Sequence, residues 1–280
     1  MSFFISTLLV VLIYLACGVA AGVVQRALGL LSVAHAVVLG CGAYAYAITT
    51  TMLELSLFAG LVVAILLSSV VGLLLTLLAV RVRDERYALV TFGVQVIWLG
   101  LATNLTSITG GVLGISGISV PGNESYLLMF VFATVVIATL FFSNFINTPL
   151  GAGGAVIEKS IELAMSLGVR YLLILSGVGF VYGGVIGLSG VILAAHVTFI
   201  DPTLFAVGTS VTVLSIAFFV VAKGVVGGFL GAVVLVGVPQ FARLFGISSS
   251  EAGYFQLILS GVCLVIATIL FLNGKKIENF

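Results

Sequence analysis

Apolar positions in this chain fall in long unbroken runs separated by short polar punctuation. Nine such runs can be drawn, at roughly 3–24, 32–53, 56–80, 87–105, 126–146, 171–197, 203–222, 225–242 and 254–273. Each is near the ~20 residues that a helix needs to cross the hydrocarbon core of a bilayer. Because the runs are continuous rather than alternating, they predict helices and not the strands of a barrel. The expected fold is therefore an all-α polytopic membrane protein of about nine transmembrane helices, a single transmembrane domain over residues 1–280.

One interruption is longer than a turn. Thr148 to Val169 breaks the apolar pattern in the middle of the chain, and from Ala155 its periodicity fits a short amphipathic helix. Val156, Ile157, Ile161, Leu163, Ala164, Met165 and Leu167 share one arc; Glu158, Lys159, Glu162 and Ser166 share the other. Ser160 is the one polar intruder on the apolar side, and Gly168 supplies a C-terminal stop. So short a helix needs a surface for its apolar face. Lipid headgroups or the protein's own bundle could supply it, and so could a groove on another protein.

Composition narrows the class. Of the 280 residues, 62% are hydrophobic and 7% charged, and the mean hydropathy is +1.40. A soluble domain of this size could not cover its surface with so few polar groups. The net charge of +1 carries no electrostatic footprint for nucleic acid. Cys17, Cys41 and Cys263 all lie inside apolar runs, without metal-ligand spacing, and read as packing residues. The first 24 residues lack Lys and Arg, so the first run reads as a retained helix rather than a signal peptide.

Charge also predicts orientation. Alternation through nine spans puts Arg26, Arg81, Arg83, Arg86, Lys159, Arg170, Lys223, Lys275 and Lys276 on one side and only Arg243 on the other. The positive-inside rule makes the crowded side cytoplasmic. The N-terminus is then outside and the C-terminus cytoplasmic. The stretch 148–169 becomes a cytoplasmic loop, and 106–125 an extracytoplasmic one.

The turns carry helix-start chemistry: Thr148-Pro149, Asp201-Pro202 and the box Ser248 to Glu251. Glycines recur every fourth residue at 179, 183 and 187, at 18 and 22, at 224 and 228, and at 227 and 231, the pattern of close helix packing. Gly183, Gly184 and Gly187 are also points where the 171–197 run could bend. No Asp, Glu, Lys or Arg lies deep in a span. The polar candidates for a pathway or for helix packing are His35, Thr91, Gln95 and Trp98, with Gln95 the most central. No phosphate-binding loop, nucleophile elbow or zinc-protease motif occurs, so this chain is expected not to be an enzyme.

Four blocks together resemble one family. Leu28 to Ala36 followed by Gly40-Cys-Gly-Ala-Tyr44, Arg81 to Gly93, Leu105 to Gly111 with Gly114 to Ile118, and Glu158 to Gly168 are similar to segments of branched-chain amino-acid ABC transporter permeases, of the LivM type. The blocks come in the family's order over about residues 25–245. The chain departs from the pattern at Val33-Ala34 before the histidine, at the displaced Pro121, at Gly151 to Ala155 where the family has a basic approach, and at Gly224 to Gly228. The resemblance implies a transmembrane subunit of an importer in the inner (cytoplasmic) membrane. It would work with a homologous permease subunit, two cytoplasmic ATPase subunits and an extracytoplasmic solute-binding protein, in contact with membrane lipid. It implies no cofactor in this chain, ATP and magnesium being bound by the ATPases. Glu158, Lys159, Ser160, Ile161, Glu162, Ala164, Leu167 and Gly168 would form the helix that couples to the ATPase. The implied solute is a branched-chain or other aliphatic amino acid; relatives carry urea, nucleosides or sugars. A secondary carrier or a channel is the competing class, and the spans offer neither a midplane carboxylate nor a selectivity ring.

Overall fold

The computed structural model describes residues 3–83, 85–119, 124–243 and 249–277. The helices are α1 (Phe3–Leu28), α2 (His35–Ala47), α3 (Leu57–Leu78), α4 (Glu85–Asn104), α5 (Thr106–Thr109), α6 (Glu124–Ile146), α7 (Pro149–Lys159), α8 (Ile161–Ser166), α9 (Tyr171–Val197), α10 (Val207–Ala232), α11 (Val238–Ala242) and α12 (Ser249–Ile277). The fold is not purely α. Strands β1 (Ile115–Ser116) and β2 (Phe199–Ile200) pair antiparallel, fastening the loop after α5 to the end of α9.

Among the described residues, six helical stretches are long and apolar enough to cross a membrane: Phe3–Leu28, Leu57–Leu78, Glu85–Asn104, Tyr126–Phe145, Tyr171–Val197 and Pro202–Ala242. Of the remaining apolar runs, 254–273 lies within the unbroken α12, where Glu251–Ile266 is a shorter apolar helix, and the others are interrupted. α2 passes into a π-helical turn at Ile48–Met52, where the hydroxyls of Thr49, Thr50 and Thr51 each donate to carbonyls three or four residues back. Such back-bonding competes with the regular ladder and loosens it. The 41-residue stretch Pro202–Ala242 is broken inside α10, where Lys223 (φ −133°) and Gly224 (φ 66°) leave helical geometry. A glycine there permits the left-handed turn. Beyond it the chain folds back on itself. A Cβ on Gly227 would meet the Lys223 side chain at 2.7 Å, and one on Gly231 the Phe219 ring at 2.8 Å. In a straight helix, Phe219 and Gly231 would be about 18 Å apart.

In lipid, helices associate through close packing and hydrogen bonds rather than through the hydrophobic effect. The glycine periodicities do this work here. α9 runs unbroken through Gly183, Gly184 and Gly187, so the bend expected there does not occur. Those glycines form the seat for α3 instead: a Cβ on Gly72 would stand 2.5 Å from the Gly179 carbonyl oxygen and 2.6 Å from Gly183 Cα. Thr76 adds a hydrogen bond from its hydroxyl to the Leu175 carbonyl (3.0 Å). Gly18 and Gly22 of α1 similarly receive Ile216 and Val220 of α10. α1, α2, α9 and the first half of α10 form the buried interior, while α3, α4, α6 and α12 turn apolar faces outward.

Candidate functional site

The 148–169 stretch forms two helices, not one. α7 starts with Thr148 in the N-cap position and proline in the first turn, but the Thr148 hydroxyl donates backward to Phe145 O (3.0 Å) instead of capping. α7 ends at Ser160, whose backbone is extended (φ −167°, ψ 138°). The Ser160 hydroxyl accepts from Leu163 N (3.2 Å) and donates to a Glu162 carboxylate oxygen (2.5 Å). The residue expected to intrude on a continuous apolar arc is therefore the N-cap of a new helix, the role for which serine competes best. That hydrogen bond is the largest influence holding the Glu162 carboxyl below its usual range, with the backbone and the nearby Arg83 charge adding to it. The C-terminal stop is as expected. Gly168 is left-handed (φ 71°), its N–H bonds Met165 O (3.0 Å), and Val169 N–H bonds Ala164 O (2.9 Å). These two bonds complete a Schellman motif.

The break divides the expected arc. Ile157, Ile161 and Ala164 are buried against the protein's own bundle, with Ile161 only 7% exposed. Leu163, Met165 and Leu167 remain 42%, 52% and 62% exposed, beside the exposed Glu162, Ser166 and Gly168. α7 is held down by small residues: a Cβ on Gly154 would lie 2.5 Å from the Ala27 carbonyl oxygen, and one on Gly153 would lie 2.7 Å from Ile174. Glu158 is half-buried and turned inward onto Gly29, while Lys159 is exposed. A rigid base thus carries a short helix with an uncovered apolar edge.

The four intramembrane candidates lie within the subunit and are engaged there. His35 Nδ1 is 2.7 Å from the Tyr182 hydroxyl, and both residues are buried. Thr91, fully buried, accepts from Val33 N (3.0 Å). Gln95, also fully buried, donates to Phe205 O (2.8 Å) and accepts from Ser210 (3.0 Å), which in turn accepts from Ala36 N (2.8 Å). Trp98 packs edge-on against Tyr44 and Phe205, its ring over Gly40. The structure brings Thr91, Gln95 and Trp98 together as one stripe of α4 facing α2; His35 faces away from it, toward α9. An apolar crevice of about 190 Å³ lies elsewhere, between Tyr46, Leu57, Phe58, Leu127, Phe130 and Ile192.

Sequence reasoning missed several anchors. Ser6 Oγ meets His196 Nε2 at 3.0 Å, Tyr46 donates to Ser119 O (3.0 Å), and Arg83 donates to Leu28 O (3.4 Å). All three join residues distant in sequence, so no local pattern signals them. Asp201 does cap, as expected: it accepts from the N–H groups of Thr203 and Leu204, at the head of a 3₁₀ turn at Pro202–Phe205. The box at Ser248 lies outside the described residues. Among the described residues, no three of His, Cys, Asp and Glu are grouped as metal ligands.

Two curated relatives are each 27% identical over 91% of this chain. They are the high-affinity branched-chain amino acid transport system permease proteins LivM of Salmonella typhimurium and Escherichia coli. The chain spans 66% of the length of each. No solved structure matches. The family model described as the branched-chain amino acid transport system permease component matches residues 3–268, nearly the whole chain. The chain is a multi-pass membrane protein and belongs to that family of permease components.

Proposed function

We propose that this protein is a transmembrane subunit of an ATP-driven importer, and that α7 and α8 form its docking site for a cytoplasmic ATPase. One observation carries the reading: the exposed edge of Leu163, Met165 and Leu167 on a helix capped at both ends and seated on a buried base. An apolar edge so placed suits a groove in a partner protein. Glu162, Lys159 and the backbone around Gly168 rim it. Glu158, Ile161 and Ala164 hold the loop to the permease, and Ser160 shapes it.

In this reading the chain crosses the inner membrane nine times, the stretch Pro202–Ala242 making two of the crossings around Lys223. Support comes from how charges gather. Arg26 donates to Val221 O, Arg83 to Leu28 O, and Glu158 rests on Gly29, so these basic residues and the 148–169 loop share one end. The Ser6–His196 pair, the β1–β2 ladder and Asp201 mark the other. The basic end is cytoplasmic by the positive-inside rule. A solute-binding protein would dock on the opposite end, over the loop at 106–125.

The solute is a neutral, branched-chain amino acid, the class of solute named for the transport systems of the two LivM relatives. Polar side chains such as Gln95 are consumed by hydrogen bonds inside the subunit, so the passage runs along surfaces shared with a homologous permease subunit. ATP and magnesium are bound by the ATPases. Copurification tests the docking claim: a cytoplasmic ATPase should come with the wild-type permease. Reporters fused to the two termini test the topology, and a cytoplasmic N-terminus would contradict it.

A further inference from the structure

Between α1 and α2 the chain runs without helical geometry from Gly29 to Ala34, yet Leu30, Ser32 and Ala34 in it are buried. It has no ladder of its own: Ala34 N bonds the Ser32 hydroxyl within it (3.2 Å), and its two ends are held from outside. At the α1 end, Arg83 Nη2 donates to Leu28 O (3.4 Å) from the loop before α4. α7 sits on the same turn through Gly154 and Glu158, one helical turn apart. A Cβ on Gly29 would be 2.6 Å from Glu158 Cγ and 3.5 Å from Glu158 Cβ. At the α2 end, Val33 N donates to Thr91 and Ala36 N to Ser210, and His35 meets Tyr182. A segment held by separate side-chain bonds can shift without unwinding a helix, because each bond is made and broken alone.

We infer that residues 29–34 and α7 move as one lever, which delivers displacement of the 148–169 loop to the start of α2. Glu158 and Arg83 are the positioning residues that join its parts. Arg83 grips the end of α1 from the loop before α4. A push on α7 therefore reaches Gly29 through Glu158 and Ala27 through Gly154, with Leu28 held by Arg83. The inference rests on the importer function proposed above and specifies the route of its coupling.

Two variants of the full importer, reconstituted with ATPase and binding protein, test the route. In Gly29→Cys with Glu158→Cys, the Cβ atoms would stand 3.5 Å apart, within the ~3.5–4.5 Å of a disulfide. If the parts move together, the oxidised form should transport at least as well per ATP as the reduced form, because the disulfide replaces the lost Glu158 contact. A tenfold loss on oxidation, recovered with reductant, would mean that α7 and the segment slide past each other, and would overturn the lever. Arg83→Gln with Glu158→Ala leaves Gly29 untouched. Measured at saturating ATPase, so that any weaker docking is compensated, its uptake per ATP hydrolysed should fall at least tenfold; unchanged uptake per ATP would also overturn the lever. A wild-type assembly without ATP-driven uptake would instead overturn the importer reading itself.

Discussion

Replacing Leu163 and Leu167 together by alanine separates docking from folding. Both side chains are partly exposed in the subunit, at 42% and 62%. On a scale of about 2 kcal/mol per buried leucine, the change should cost the permease at most about 1.2 and 0.8 kcal/mol, less than it can bear without unfolding. Docking is another matter. Full burial of a leucine is worth about 2 kcal/mol, and a partner groove can still cover the exposed fractions, about 0.8 and 1.2 kcal/mol respectively. Their sum, about 2 kcal/mol, corresponds to roughly 30-fold in the ATPase dissociation constant, a ceiling because alanine keeps its Cβ. Ile161→Asp is the informative contrast. The periodicity puts Ile161 at the heart of the docking arc, but it is 7% exposed and faces the permease, so an aspartate there buries an unpaired carboxylate in the subunit. That variant should fail to fold or insert. Titrating purified permease with ATPase by surface binding, after size-exclusion chromatography confirms folding, measures both. A double alanine variant that binds the ATPase like wild type would refute the docking surface. A well-folded Ile161→Asp permease would refute the base beneath it.

Three further outcomes follow from the geometry. Gly183→Ala would press a methyl group onto the Ser68 backbone and lower the thermal midpoint in detergent, at about 1–3 kcal/mol, whereas Gly177→Ala, with nothing within 4 Å, should be neutral. Gln95→Leu strands the Phe205 carbonyl and the Ser210 hydroxyl and should destabilise by about 1–3 kcal/mol in the same assay. Because the Glu162 carboxyl is held below its usual range, it stabilises α8 at neutral pH and down to the ordinary carboxylate range. That support is lost as pH falls from the ordinary carboxylate range to the depressed value, and Ser160→Ala should move the lower end of that loss upward, read as the pH dependence of α8 helicity by NMR.

The membrane class, the apolar runs and the polar loop at 148–169 were legible because each rests on a one-dimensional pattern. So were the Asp201 cap and the Gly168 stop, which depend on residues a few positions apart. The break at Ser160 was harder. Serine fits the polar gap in an amphipathic arc and also the N-cap of a second helix, and periodicity does not separate the two. The difference decides that Ile161 faces inward and Leu167 outward. The glycines of α9 announced close packing, but not that Gly72 and Ser68 of α3 would meet them, since partners in a bundle are chosen by three-dimensional fit. Gln95 signalled a hydrogen bond, while its partners, Phe205 and Ser210, lie more than a hundred residues away. Lys223-Gly224 shows the opposite case: a cation and a glycine between two apolar runs mark a reversal that apolar length alone would read as one 41-residue stretch.

Solute uptake into sealed vesicles, with the permease assembled with its homologous subunit, ATPases and binding protein, tests the central claim most directly. With the membrane potential and ion gradients collapsed, ATP supplied on the ATPase side should drive accumulation of leucine or a similar neutral amino acid. Accumulation that ignores ATP and follows a proton or sodium gradient would contradict the account.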